Sequence, residues 1–418
     1  MSSVAGRDWF QRPALERIFA LLNADGGEVR VVGGAVRNAL MGLPVGDVDM
    51  ATTLTPDVVV ARAKAAGIKA VPTGIEHGTV TLVIDGEGFE ITTLRRDVET
   101  NGRHAQVAFG TDWQADAERR DLTINALYAD HSGAVIDLIG GLADIETGTV
   151  RFIGDAATRI AEDYLRILRF FRFFAHYGSG RPDADGLRAS ARAKDKLQTL
   201  SAERVWSEIK KLLSATDPSR ALLWMRQSGV LAEVLPETEK WGIDAIHGLV
   251  ATEQALNWTP VPLLRLAAIV PPDVERLAAL ASRLRLSKAE AAFLNHWASA
   301  PAADPDMKET ALDRLLYRQG VDGVKARLKL ALASARADLS ASETAMQKVA
   351  RLSTLLARAE KFQKPNFPLS GADVMAAGIA AGPKVGEVLK SLENKWIEVN
   401  FSLDRSALTA RLKDMVEN

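Results

Sequence analysis

The chain has 418 residues, more than one compact core usually holds, so two to four domains are expected. Hydrophobic residues make up 47% and charged residues 25%, with a net charge of −1, which excludes a polybasic or disordered chain and leaves any nucleic-acid contact to a local basic face. The absence of cysteine excludes a disulfide framework, a thiolate zinc site and a cysteine nucleophile, and fits a reducing cytosol, so a cytoplasmic location is expected. The segment MSSVAGRDWFQRP has no apolar core, so no signal peptide is expected, and no apolar run is long enough to cross a bilayer.

In chain order, residues 1–25 predict a short helix with Leu15, Ile18, Phe19 and Leu22 on its apolar face. EVRVVGG (28–34) predicts a strand ending in a glycine pair, AVRNALMG (35–42) a helix closed by Gly42, and VGDVDMAT (45–52) a second strand. TPDVVVARAKAAG reads as a helix with Thr55 as N-cap, Pro56 at N1 and Gly67 just past its end. Three strands follow in KAVPT, GTVTLVID and GFEITTLRR. The polar stretch 95–118, with TNGRH, predicts a mobile loop, and RDLTINALYAD a helix or turn leading into GAVIDLIGG. From about residue 155 nearly everything has helical period, broken near GSGRPDADG, PPD, APAADPD and KPNFPLSGAD. An α/β head of about 150 residues and a long helical remainder follow, without internal repeats or low-complexity tracts.

The densest chemistry lies in VVGGAVRNALMGLPVGDVDMAT, residues 31–52. A strand that ends in Gly33-Gly34 and opens a helix can cradle a phosphate, because glycine lets the backbone approach the anion and the helix start offers free N–H groups. Arg37, three residues beyond Gly34, can reach phosphate oxygens. Taken alone, the glycine pair is equally a plain tight turn. Asp47 and Asp49, two apart on a strand, would project from one face while Val48 enters the core. Two carboxylates on one rigid face suit a pair of Mg²⁺ ions, which in phosphoryl transfer sit roughly 3.5–4 Å apart. Glu90 alternates with Phe89 and Ile91 in GFEITTLRR; it is either a third carboxylate brought in by a neighbouring strand or a solvent-side glutamate.

These residues, and the motifs after them, resemble the class II branch of the polymerase-β-like nucleotidyltransferases, which holds the tRNA CCA-adding enzymes and the bacterial poly(A) polymerases. GGAVRNALMG…GDVDMAT is similar to the family's metal-and-triphosphate motif and RRDLTINALYAD (119–130) to its second motif. GDAATRIAEDYLRILRFFRF (154–173) resembles the nucleotide-selecting helix and LSAERVWSEIKKLL (200–213) the motif that closes the neck. They stand in family order over residues 31–213, about half the chain, and FPLSGADVMAAGIAAGPKVGEVLKSLE (367–393) resembles the C-terminal segment.

The resemblance implies an α+β protein, with a small mixed-sheet polymerase-β-like head over 1–150 followed by an all-α neck (151–215), body (216–365) and tRNA-binding tail (366–418). It implies addition of nucleotides to an RNA 3′ end without a nucleic-acid template. Carried over by position, Gly33, Gly34 and Arg37 would hold triphosphate, and Asp47 and Asp49 metal, to which Glu90 is added only if its strand lies beside them. Arg120, and less directly Arg119, would contact the incoming nucleotide, with Asp121 and Asn125 ordering the turn around the ribose. Full CCA-adding enzymes usually carry Asp-Gly-Arg in the loop that here reads Asn101-Gly102-Arg103, with Asp97 and Glu99 as the candidate acids.

In EDYLRILRFFR, Asp163, Arg166, Arg169 and Arg172 recur every three residues, which on a helix spreads the first three over about a third of the circumference. Aspartate only accepts hydrogen bonds and arginine only donates them. Cytosine and adenine each show an amino donor beside a ring-nitrogen acceptor; guanine and uracil show the opposite order. One Asp–Arg pair therefore matches C and A and leaves G and U with unpaired polar groups. The alternative is a charged helix face with i,i+3 ion pairs. The resemblance gives the base-reading role to Asp163 and Arg166, with Arg169 and Arg172 supporting phosphates or the helix.

In the helical half, RLRLSK (283–288) and GPKVG (382–386) are candidate backbone contacts for RNA, though basic residues on helices are usually solvated faces. Trp206, Trp224, Trp258, Trp297 and Trp396 read as core anchors, and the six histidines are scattered. The expectation is a Mg²⁺-dependent CCA tRNA nucleotidyltransferase acting on the tRNA 3′ end with CTP and ATP, with no membrane and no protein partner implied. The alternatives are a poly(A) polymerase, an enzyme adding only CC or only A, and a catalytically silent RNA-binding protein.

Overall fold

The computed structural model describes residues 2–101, 104–239, 241–338 and 343–417, and the side chains of all of these except 96–101, 104–107, 343 and 417. Two compact units make up the chain, Met1–Pro236 and Glu237–Asn418.

The first unit opens with α1 (Pro13–Leu22), β1 (Val29–Val32), α2 (Gly34–Leu40), β2 (Met50–Thr52) and α3 (Pro56–Ala65). Then come β3 (Lys69–Gly74), β4 (Thr79–Ile84), β5 (Glu87–Thr93), β6 (Arg95–Asn101), β7 (His104–Phe109), α4 (Trp113–Glu118), β8 (Leu127–Ala129) and β9 (Val135–Asp137). Seven of these strands form a mixed sheet in the order β3-β4-β5-β2-β1-β8-β9. The β2–β5 pair is parallel and the other pairs are antiparallel. The central strands are buried on both faces. Val31 and Met50 join α1 through Leu15, Ile18 and Leu22 in the main core, while their neighbours Val32 and Ala51 pack with Leu94, Ala126 and Tyr128 on the other side. An outer strand such as β4 instead alternates half-buried and buried residues, the signature of one covered face.

β2 is shorter than the predicted strand at 45–52: regular pairing starts at Met50, and 43–49 run as irregular chain. The predicted mobile loop at 95–118 is corrected more sharply. β6 and β7 pair antiparallel as a separate two-stranded ribbon with an irregularity between Asp97 and Glu99, and α4 follows, capped by the Asp112 carboxylate on the N–H groups of Gln114 and Ala115. The stretch carries no clear apolar–polar alternation, the signal by which a strand is read from sequence, so its polar composition concealed the ribbon. The Asn-Gly-Arg reading falls partly on Gly102 and Arg103, which lie outside the described residues.

The unit closes with helices: α5 (Gly141–Thr147), α6 (Ala156–Glu162), α7 (Leu165–Tyr177), α8 (Ala184–Ala193), α9 (Ala202–Leu213), α10 (Ser219–Gln227) and α11 (Val230–Val234). Phe170 and Phe171 of α7 are fully buried, and Phe152 stacks on Phe170 at 5.4 Å. The second unit is helical wherever regular structure is described, from Ala245–Ala255 to Arg405–Glu417. One of its cores gathers Leu312, Leu328 and Leu352, the other Trp396, Leu392 and Leu408. Of the five tryptophans expected as core anchors, Trp206, Trp297 and Trp396 are buried and Trp224 and Trp258 only half-buried, and no described helix is long and apolar enough to cross a membrane.

Candidate active site

One edge of the sheet brings the short motifs together. The Val32 N–H donates to the Asp49 carbonyl at 2.9 Å, so Asp49 stands across from the last residue of β1, just before the glycine pair. Gly33 has φ 71 and ψ −118, a conformation that L side chains rarely adopt, and its N–H donates to the Leu127 carbonyl at 3.0 Å. The parallel register pairs Met50 with Ile91, which sets Glu90 beside Asp49. Val48 and Met50 are buried while Asp47 and Asp49 are exposed, so the expected in-out alternation holds although this stretch is not a regular strand.

A cavity of about 840 Å³ opens over this edge. Its head wall includes Gly33, Gly34, Asp49, Glu90, Arg120 and Asn125; its neck wall includes Glu162, Asp163, Arg166, Arg169, Arg172 and Arg204. Asp49 lines this cavity, and Asp47 stands near enough to act on the Asp49 carboxyl electrostatically. Eight arginines (37, 95, 119, 120, 166, 169, 172 and 204) face five carboxylates (49, 90, 121, 162 and 163), an excess of positive charge that suits a polyanion.

The head-wall acids are uncompensated. Neither Asp49 nor Glu90 makes a side-chain hydrogen bond or ion pair with the described residues. Although Asp49 keeps an exposed side, desolvation of its carboxyl in the cavity wall, then Glu90, then Asp47 push that carboxyl above the usual carboxylate range, against a weaker pull from Arg120. Among the described residues no three acidic or histidine side chains stand close enough to form a ready-made metal cage. The donors are nevertheless hard carboxylate oxygens whose mutual repulsion a divalent cation would relieve, so the residues present fit such an ion.

The neck-wall groups are compensated. Asp163 is not on the helix that its three-residue spacing predicts. It sits in an extended break after α6, with φ −155, and its Oδ1 accepts from the Leu165 N–H at 3.1 Å while its Oδ2 accepts from Arg204 at 2.6 Å. Arg166, the second residue of α7, pairs with Glu162 and donates to the Arg159 carbonyl at 3.0 Å; its N–H donates to the Asp163 carbonyl at 3.0 Å, but the Asp163 and Arg166 side chains meet other partners rather than each other. Arg169 Nε donates to Asp121 Oδ2 at 2.6 Å; burial alone would raise the Asp121 pKa, but Arg169 and Asn125 hold it below the usual value. Arg172 pairs with Glu208 at 3.2 Å.

Arg37 enters the cavity wall in a different way from the expected open phosphate ligand. It is only 6% exposed, bonds Asn125, the Asn38 side chain and the Tyr177 hydroxyl (2.8 Å), and stacks over the Tyr177 ring at 4.0 Å. Burial lowers its pKa, with Tyr177 opposing. Arg120 stays closer to the expected place: its Nη1 is 3.9 Å from where a Cβ on Gly33 would stand. The sequence reading missed three members of the site: Arg204, Glu162 and the buried Asp116. Arg204 and Glu162 lie inside quoted motifs, and Asp116 precedes Arg119 and Arg120 by three and four residues, the spacing of helical ion pairs.

A cation-ready acidic edge under an arginine-rich wall is suited to nucleotidyl transfer, and comparison with known proteins agrees. Residues 29–151 match the Poly A polymerase head domain, and 183–241 match the "Probable RNA and SrmB- binding site of polymerase A". The chain is 33% identical over 403 residues to the mitochondrial CCA tRNA nucleotidyltransferase 1 of Mus musculus, covering 96% of this chain and 89% of that protein. It is 30% identical over 410 residues to the CCA-adding enzyme of Leuconostoc mesenteroides, covering 96% of each. The crystal structure of the Bacillus stearothermophilus CCA-adding enzyme in complex with CTP superposes with a TM-score of 0.72 and 26% identity, over 96% of each chain. The chain belongs to the family of CCA-adding enzymes, the CCA tRNA nucleotidyltransferases. It is thus an RNA nucleotidyltransferase, of a family that uses divalent metal.

Proposed function

We propose that the protein adds C, C and A to the tRNA 3′ end from CTP and ATP, with Mg²⁺ and without a nucleic-acid template. The observation that carries this reading is Asp49, uncompensated beside Glu90 at the sheet edge where the Gly33 turn meets the arginine-lined cavity. Asp49 and Glu90, with Asp47 adding charge nearby, would hold the cation. A cation bound there would acidify the RNA 3′-hydroxyl and offset charge developing on the α-phosphate and the departing pyrophosphate.

The chain's own groups supply the remainder. The 3′-oxygen forms a bond to the α-phosphorus, the bond to the β-phosphate oxygen breaks, the hydroxyl proton passes to solvent, and pyrophosphate leaves. The Gly33-Gly34 turn gives the triphosphate backbone-level access, and Arg120 with Arg119 neutralises it. Arg37 braces the turn through Asn125 and Tyr177. Asp163 and Arg166, both on the cavity wall, offer an acceptor and a donor to the base edges of C and A, while Arg169 and Arg172 hold the neck wall in place. The division 1–150 head, 151–215 neck, 216–365 body and 366–418 tail remains our assignment, with the tail on tRNA, and the cysteine-free composition supports a cytoplasmic location.

Purified protein incubated with tRNA lacking its terminal CCA, and with each nucleotide alone and combined, tests the reading. Two C and one A followed by arrest support it. Long A-tails indicate a poly(A) polymerase, C-only or A-only products a partial enzyme, and no product a silent RNA-binding protein.

A further inference from the structure

We propose that Asp116 is a positioning residue for the triphosphate: one buried carboxylate that fixes both Arg119 and Arg120 in the cavity wall. The inference rests on the reading of Arg120 as a phosphate contact. Asp116 sits on α4, and its side chain is only 1% exposed. Its Oδ1 accepts from Arg119 Nε at 2.9 Å and Nη2 at 2.5 Å. Its Oδ2 accepts from Arg120 Nε at 3.2 Å, Arg120 Nη2 at 3.1 Å and the Tyr128 hydroxyl at 2.8 Å. Five donor contacts from three side chains therefore end on one carboxylate. Burial would raise its pKa, but Arg120, Arg119 and Tyr128 together hold it lowered, so it stays charged.

The geometry is more specific than a stability pair requires. Two adjacent arginines facing one partly dehydrated cavity repel each other, and their long side chains are costly to order. A shared carboxylate cancels one of the two charges and locks both forks by the side facing the protein. Nη1 of Arg120 makes no hydrogen bond to the described residues and lies against the Gly33 turn. One net positive charge and preset N–H groups are thus left facing the place where a triphosphate would lie. Preset donors need little reorganisation when the anion arrives.

The test compares Asp116→Asn, Arg120→Gln and the double variant in the full-length enzyme. The readouts are kcat and KM for CTP and ATP, the inhibition constant of inorganic pyrophosphate, and thermal unfolding. The expected result for Asp116→Asn is a rise of about tenfold or more in both KM values and in the pyrophosphate constant together. Discrimination against UTP stays unchanged, because the phosphate end is common to all nucleotides. In the Arg120→Gln background the same change adds about twofold at most, since the two residues act as a unit. A lowered unfolding temperature with unchanged KM and pyrophosphate constants overturns the proposal, as do fully additive effects. If Arg120→Gln alone leaves pyrophosphate binding unchanged, the phosphate reading of Arg120 falls and this proposal with it; an impaired Arg120→Gln beside a normal Asp116→Asn removes this proposal alone. Should Asp116→Asn fail to fold, Asp116→Glu keeps the charge and displaces the forks by one methylene. A severalfold weaker pyrophosphate constant then supports the proposal, and a wild-type constant overturns it.

Discussion

The two walls of the cavity treat their acids in opposite ways. On the head wall, Asp49 and Glu90 stand together with no ion-pair partner among the described residues, and desolvation, then their proximity, drives the Asp49 pKa up against a weaker pull from Arg120. Where neck residues take part the acids are paired: Asp163 meets Arg204, Glu208 meets Arg172, and Asp121 of the head meets Arg169 across the cavity, all within 3.2 Å. An acid cluster left in mutual repulsion lowers folding stability unless a ligand supplies positive charge; a paired acid keeps its shape without one. On the function proposed above, the unpaired acids would receive a cation and the paired ones would present a preset surface to a base.

The sharpest way to break this comparison is to neutralise one unpaired acid and one acid paired to the neck. Asp49→Asn should cut nucleotide incorporation about a thousandfold, roughly 4 kcal/mol, with tRNA retention on filters nearly unchanged. Because the folded state raises the Asp49 pKa, its charged form costs stability above that pKa, so the variant without metal should melt at the same temperature as the parent or higher. A lower melting temperature would mean that Asp49 is a structural acid. Asp121→Asn should do the reverse and cost about 3 kcal/mol in urea unfolding at neutral pH, because the Arg169 charge is left without its partner. The folded state depresses the Asp121 pKa, so its contribution is full above the ordinary carboxylate value of about 4 and is lost as pH falls through the depressed value. Unfolding measured from about pH 6 downwards should therefore show a shallower acid limb in Asp121→Asn than in the parent.

Sequence and structure agree where the chemistry is local. The glycine pair, the Asp47-Val48-Asp49 alternation and the change from mixed sheet to helices are short-range patterns, and each is present in the fold. Glu90 was open in the sequence because its place beside Asp49 depends on a parallel pairing between strands far apart in the chain. The three-residue rhythm predicts a helix through Asp163 because it does not register the extended residue and the cap on Leu165 that split α6 from α7. Arg204 is 41 residues from its partner, so no spacing rule exposes the pair. Arg37 shows the same limit: the motif placed it at the phosphate turn, but not its burial against Tyr177, 140 residues away.

Smaller effects test whether compensation matters in proportion to dehydration. Arg204→Gln frees the Asp163 carboxylate to turn from the orientation that its 2.6 Å contact enforces. Misincorporation of U should rise about tenfold with little loss of stability, and Arg204→Lys should restore part of the fidelity. The Arg12–Glu87 pair is the control: at 3.4 Å, with side chains 37% and 53% exposed, water screens it and both ends remain mobile. Arg12→Ala should shift unfolding by less than about 0.5 kcal/mol and leave incorporation and fidelity untouched. If Arg12→Ala were as damaging as Arg204→Gln, pairing alone rather than pairing at the cavity would be what the enzyme depends on, and the contrast between the two walls would lose its meaning.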